Sequence, residues 1–353
     1  MITNQRQQGF TIVELMVAAT LGLLILAGAI SMFISNKRIY TEQDEMGRLQ
    51  ENARFAMNML IRDIRMAGYS GCNHDIATVT NHITGAGTAT SIHAFTPVEG
   101  SEAGGNWQPS GASTDLGTSD GITLRYLDYT DAYSMMPAMS TADVEIYTSR
   151  GSGFELGDRI ALADCNSADI VVVTGVTLTG TAGCTTSGPA NTTCQDELAH
   201  VSASIPSGAE PGNATSTLSK IYDSQAQILE YVTARYFIAN DADGNPVLNR
   251  RSGEGAAEAI IEGVENMQIL YGEDTTGNDQ VADTYVNAGA VTDWNDVVSV
   301  RIALLVRSIR EYGADLDTQT YDLLGTTFNP TDDRRRRRVF TTTVQIRNRI
   351  SDS

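Results

Sequence analysis

The sequence predicts an α+β chain, with one long N-terminal helix followed by a large body of antiparallel β-sheet. Three observations predict it. Residues Leu15–Ile34 form 20 consecutive positions without a charged side chain, enough for a helix to cross a bilayer core. Apolar residues then recur at Ile39, Met46, Leu49, Ala53, Met57, Leu60 and Ile64, three, four or seven apart, which is an amphipathic stripe. Beyond them, short β-branched and aromatic runs alternate with tracts rich in Gly, Ser, Thr and Ala.

The helical pattern extends from Phe10 to Ala67, about 87 Å if unbroken. No proline precedes Pro97, and Gly68 marks the helix end. Gly22, Gly28 and Ser31 leave a kink in the apolar half open. Charged residues, among them Glu42, Asp44, Glu45, Arg48, Glu51, Arg54, Arg62 and Asp63, fill the polar side of the second half.

Strands are expected at Gly121–Leu127, Val144–Thr148, Asp158–Ala163, Asp169–Leu178, Ile228–Ala239, Val247–Arg251, Val297–Arg307 and Val339–Arg347. Asp243-Gly244 reads as a hairpin turn. Ile260–Tyr271 reads as a helical turn feeding a strand, and 85–119 and 180–219 read as loop. The expected divisions are 1–9 (leader), 10–68 (helix, transmembrane over about 10–34), 69–220 (a loop- and β-rich head) and 221–353 (a C-terminal β-rich region).

The 353 residues carry a net charge of −19, which repels nucleic-acid phosphates and excludes DNA or RNA as an expected partner. Cys72, Cys165, Cys184 and Cys194 include no C-x-x-C pair, so an oxidising compartment with two disulfides fits better than zinc. Three pairings are possible. The short Cys184–Cys194 loop favours that bond, leaving Cys72–Cys165, and free thiols are the alternative.

No Walker A loop, G-x-S-x-G or H-E-x-x-H occurs, and neither enzymatic activity nor a cofactor is expected. The four histidines, His74, His82, His93 and His200, read as scattered surface residues rather than a metal site. The 240–245 and 273–279 acidic segments offer oxygen ligands for calcium but read better as turns, because EF-hand spacing is missing. Five consecutive arginines, Arg334, Arg335, Arg336, Arg337 and Arg338, form either a solvated loop or a docking site for an acidic partner.

The N-terminus admits three readings. Ala27-Gly28-Ala29 resembles a secretory cleavage site, but Glu14 lies where an apolar signal core should begin. A plain anchor gives no reason for Glu14 or for the switch at Gly9-Phe10. Gly9-Phe10-Thr11-Ile12-Val13-Glu14-Leu15 before a long apolar helix resembles the class III signal of type IV prepilins and type II secretion pseudopilins. That resemblance implies cleavage between Gly9 and Phe10 by a membrane prepilin peptidase, and N-methylation of Phe10. A carboxylate in hydrocarbon is costly unless paired. The new α-amine at Phe10 lies four residues from Glu14, on the same helix face. Glu14 would pair with it, or with a neighbour's amine in a filament, setting register.

Later segments are similar to the PilW type of minor pilins. They are Asp63–Tyr69 with Gly71-Cys72, Gly157-Asp158 with Asp164-Cys165, Ala239–Leu248 with Arg250-Arg251, Gly263–Gln268 with Leu270-Tyr271-Gly272, Trp294–Ile302, and Arg347-Asn348-Arg349. The resemblance implies a pilin-like fold with an enlarged β-rich head, held in the inner membrane with the head in the periplasm. It further implies a place at the tip of a type IV pilus, where minor pilins prime assembly of the major pilin and carry a PilY-type adhesin. A large pseudopilin of type II secretion and a surface-binding module on a pilin anchor are the alternatives.

Overall fold

A computed structural model describes residues 11–348 apart from 74–75, 84–94, 104–105, 108–113, 116, 136–137, 143–144, 150, 181–193, 203–211, 254, 278, 313–314 and 331. Among the described residues one α-helix, α1 (Ile12–Met66, 55 residues), leads into β-structure. At 1.5 Å per residue it is about 82 Å long. It passes Gly22, Gly28 and Ser31 without interruption.

The strands follow in chain order. The first five are β1 (Val79–Asn81), β2 (Val98–Ser101), β3 (Asn106–Trp107), β4 (Thr114–Asp115) and β5 (Gly121–Ser134). Then come β6 (Ile146–Ser149), β7 (Arg159–Ala163), β8 (Ala168–Val172), β9 (Gly175–Gly180) and β10 (Cys194–Ala199). Next are β11 (Gln227–Asn240), β12 (Pro246–Ser252), β13 (Ala257–Glu262), β14 (Val264–Glu273) and β15 (Thr284–Val286). The last four are β16 (Val297–Arg307), β17 (Tyr321–Leu323), β18 (Thr326–Phe328) and β19 (Arg337–Gln345).

The buried stripe of α1 packs against residues of two sheets. The larger runs β1-β8-β7-β11-β12-β13, with β5 and β2 joined through β11, and is antiparallel except for β1 against β8. β11 organises it, pairing with β7 over its first residues, with β12 over its last, and with β5 along the other edge. β5 and β7, which precede residue 220, pair directly with β11, which follows it. The smaller sheet runs β15-β14-β16-β19 and is wholly antiparallel.

One core joins these layers. Leu49, Ala53, Ala56, Leu60 and Ile64 of α1 pack with Ile122, Leu124, Ala234 and Tyr236 of the large sheet and with Met267, Ile269, Ile302 and Leu304 of the small one. Leu60 and Ile64 are fully buried, each contributing about 1.5–3 kcal/mol of apolar burial. The other face of β16 is covered by the β17–β18 hairpin through Ala303, Leu305 and Leu323, so β16 is buried on both sides.

Two expectations are corrected. Ile260–Tyr271 contains no helical turn: it is the end of β13, a turn at Gly263 and most of β14. Gly263 has φ +86 and a Cβ there would lie 2.7 Å from the Arg307 carbonyl, so the turn requires glycine. Asp169–Leu178 is two strands, β8 and β9, each with different partners.

Candidate functional site

The site is α1 and the surface that seats it. The helix opens with a reciprocal cap. Glu14 N donates to Thr11 Oγ1 at 3.3 Å, while Thr11 N and Oγ1 both donate to Glu14 Oε2 at 3.0 Å. This capping box satisfies two of the free N–H groups of the first turn, those of Thr11 and Glu14, and gives the Glu14 carboxylate donors within its own chain. Thr20 Oγ1 turns back onto the carbonyls of Met16 and Val17, so its hydroxyl is satisfied inside the helix.

From Ile12 to Ile34 the helix is exposed around its whole circumference, with Leu24 at 70% and Phe33 at 71%. Its apolar window has a mean hydropathy of 2.4, and none of it is buried against the rest of the chain. So large an apolar surface is unfavourable in water and suits hydrocarbon or a neighbouring helix.

Burial begins where the composition turns amphipathic. Glu45, Leu49, Ala53, Ala56, Met57, Leu60, Asp63 and Ile64 are buried. Glu45 and Asp63 belong to this stripe, not to the polar side expected from the sequence, and Ile39 is 51% exposed. Tyr236 Oη donates to Asp63 Oδ2 at 2.7 Å, and Arg250 Nε reaches the same oxygen at 3.3 Å. An aspartate recurring in step with apolar residues was the available signal for this seat.

The helix end is held from the far terminus. Asn348 Nδ2 donates to the carbonyls of Arg65 (2.9 Å) and Met66 (3.4 Å), which lack intrahelical partners. Gly68 follows the helix with φ +79, and a Cβ there would lie 3.0 Å from the Asn348 carbonyl. A disulfide between Cys72 and Cys165 then ties the chain leaving the helix to the β7–β8 turn. A loop of 93 residues closed this way contributes about 4–5 kcal/mol in the chain-entropy account.

Gly9 and Phe10 lie outside the described residues, as do Cys184, His74 and His93, while Cys194 begins β10. The other two histidines are buried, not on the surface. His82 Nε2 lies 2.5 Å from Asp169 Oδ1, and His200 is 3% exposed. Burial disfavours the Asp169 charge. Bonds from His82, Ser219 and Tyr222 outweigh it and hold the carboxyl below its usual range.

The acidic segments are closed upon themselves. Asp241 Oδ1 accepts the backbone N–H groups of Asp243 and Asn245, and Asp283 Oδ2 accepts those of Thr275 and Thr276. No cluster of three metal-ligating side chains occurs among the described residues.

The arginine run divides. Arg337, with no exposed side-chain surface, bonds Glu265 (2.6 Å), Asp333 (2.8 Å) and Asp317 (3.2 Å). Arg335 bonds the Ser308 and Ile309 carbonyls. These two are internal struts and are not free to dock a partner. Arg336 lies 3.5 Å from Glu42 of α1, whereas Arg334 and Arg338 are exposed.

Residues 235–348 match the family model of the type IV pilus-assembly protein W, and residues 4–30 match the prokaryotic N-terminal methylation motif. No curated protein and no solved structure matches the chain. The first match begins within β11 and ends at Asn348, spanning the β12–β13 edge, the whole small sheet and the residue that caps α1. The second spans the capping box and most of the exposed apolar helix.

Proposed function

We infer that this chain, a class III prepilin of the PilW type, is a minor pilin that helps to prime assembly of a type IV pilus and stays at or near its tip. One observation carries the reading: α1 is apolar and exposed all round through Ile34, then is fixed by a single stripe against a core shared with two sheets. The first half suits a bilayer before assembly and a bundle of like helices afterwards. The second half transmits the position of that bundle to the head.

In this account prepilin peptidase cuts between Gly9 and Phe10, and Phe10 is N-methylated. The new amine then stands one residue before the Thr11 cap, within reach of Glu14. Glu14 exchanges its intrachain donors for an amine, its own or a neighbour's, and so sets axial register. Bulk supports the tip position. A 353-residue chain whose head holds an eight-stranded and a four-stranded sheet crowds its neighbours if repeated at every turn of a filament but not at an end. Other minor pilins, the major pilin and a PilY-type adhesin are the expected neighbours, and the head faces the periplasm before assembly.

Deleting the gene and scoring piliation against protein secretion tests the assignment. Loss of pili with secretion intact is expected. The reverse would assign the chain to a type II secretion system.

A further inference from the structure

β19 is an unusual edge. It pairs with β16 over all nine residues, from Ser299↔Gln345 to Arg307↔Arg337, without a bulge. No strand pairs with its other side among the described residues. The register shows which groups are left over. Ile346 N donates to Val298 O, and Ser308 N donates to Arg336 O, so even-numbered residues direct their backbone groups at β16. Val339, Thr341, Thr343 and Gln345 therefore present N–H and C=O groups to the open side. A straight, proline-free edge of this length is a template for a further strand unless something covers it.

Beside it runs a groove of about 420 Å³ between β19 and α1. Gln50, Arg54, Asn58 and Ile61, on one helix face, form its floor, with Phe340 at the wall. Its only charged lining residues are Arg54 and Arg338, and neither takes part in an ion pair among the described residues. Arg338 lies over the Phe340 ring, 5.5 Å from its centroid. On a chain of net charge −19, a groove charged only by arginine is locally inverted.

We propose that an acidic, extended segment of a partner protein adds to the open edge of β19 and lays alternate side chains into this groove. Backbone bonds supply the attachment, and the two arginines select carboxylates. A second copy of this chain fits poorly, because pairing β19 with itself brings two sets of these arginines together.

The test uses the full chain in detergent and a fluorescein-labelled octapeptide of alternating Glu and Val. Its Lys-Val and Glu-Pro counterparts are the controls, the latter having the charge without the strand's donors. Binding is expected for Glu-Val alone, with slowed amide exchange at Val339, Thr341, Thr343 and Gln345. Thr341→Pro removes an outward N–H without breaking the ladder to β16. It should retain the wild-type melting temperature and lose binding at least about tenfold, as should the double variant Arg54→Glu/Arg338→Glu. Equal binding of Glu-Pro or Lys-Val, or full binding by Thr341→Pro, overturns the proposal. So does dimerisation of the chain that Thr341→Pro abolishes, which would assign the edge to a second copy.

Discussion

Tyr236 on β11 donates its hydroxyl to Asp63 on α1 at 2.7 Å, joining residues 173 apart in sequence at the centre of the helix–sheet contact. Arg250 on β12 completes the group from the neighbouring strand. Burial, and then the Asp63 charge, push the Tyr236 phenol far above its ordinary range, so it remains a donor at any physiological pH. Asp63→Ala leaves a half-buried guanidinium and a buried hydroxyl without this acceptor, at a cost of about 2–3 kcal/mol. Tyr236→Phe removes one donor and costs about 1–2 kcal/mol. Urea unfolding of the detergent-solubilised chain measures both.

Asp120 gives a pH signature. Its carboxylate accepts the N–H groups of Ile269 (2.8 Å) and Ala103 (3.0 Å). Burial outweighs those bonds and raises its pKa to about 6. Between about pH 4 and 6 the folded chain holds a proton that the unfolded chain has released. This group's contribution to stability therefore falls as pH rises through that window, by up to about 2–3 kcal/mol. Thermal melts of wild type and Asp120→Asn across that range should diverge by this amount, the variant having the flatter profile.

Arg337 should behave as a core residue. Removing it leaves Asp317 without its cation and Glu265 and Asp333 with only Arg307 and Arg335, so Arg337→Ala costs about 3 kcal/mol. Arg334→Ser, three residues earlier and exposed, should change stability by no more than about 0.5 kcal/mol. Equal effects in denaturant titration would contradict the division of the run.

Glu14→Ala removes the side-chain half of the reciprocal cap and leaves the apolar segment intact. Membrane insertion should persist while incorporation into filaments fails, measured by comparing the chain in membrane and sheared-pilus fractions. Normal incorporation would remove Glu14 from the register mechanism.

Much of the fold was legible wherever one physical rule dominated. The apolar run, the stripe through Leu49, Leu60 and Ile64, and β16 at Val297–Arg307 follow from periodicity and β-branching alone. What was missed depended on partners far away in sequence. β13 mixes Ala and Glu, good helix formers, with two Ile, and is a strand because β12 lies beside it. β2 and β10 lie in tracts whose small polar residues read as loop. At the site, the helix end at Gly68 was readable from local spacing, whereas the Thr11–Glu14 capping box was not read although its T-x-x-E spacing is local. The bond from Asn348 to Arg65 and the burial of Arg337 were not readable, because no local pattern announces a partner 283 residues back or the carboxylates of Glu265 on β14 and Asp317, which meet Arg337 only in the fold.

The central claim is that the apolar helix is retained after processing and becomes the assembling end of the molecule. Mass spectrometry of the N-terminal peptide from membrane-extracted and pilus-associated protein tests it most directly. The account predicts a mature chain beginning at N-methylated Phe10. A chain beginning at Ile30, with most of the apolar segment removed, would contradict it.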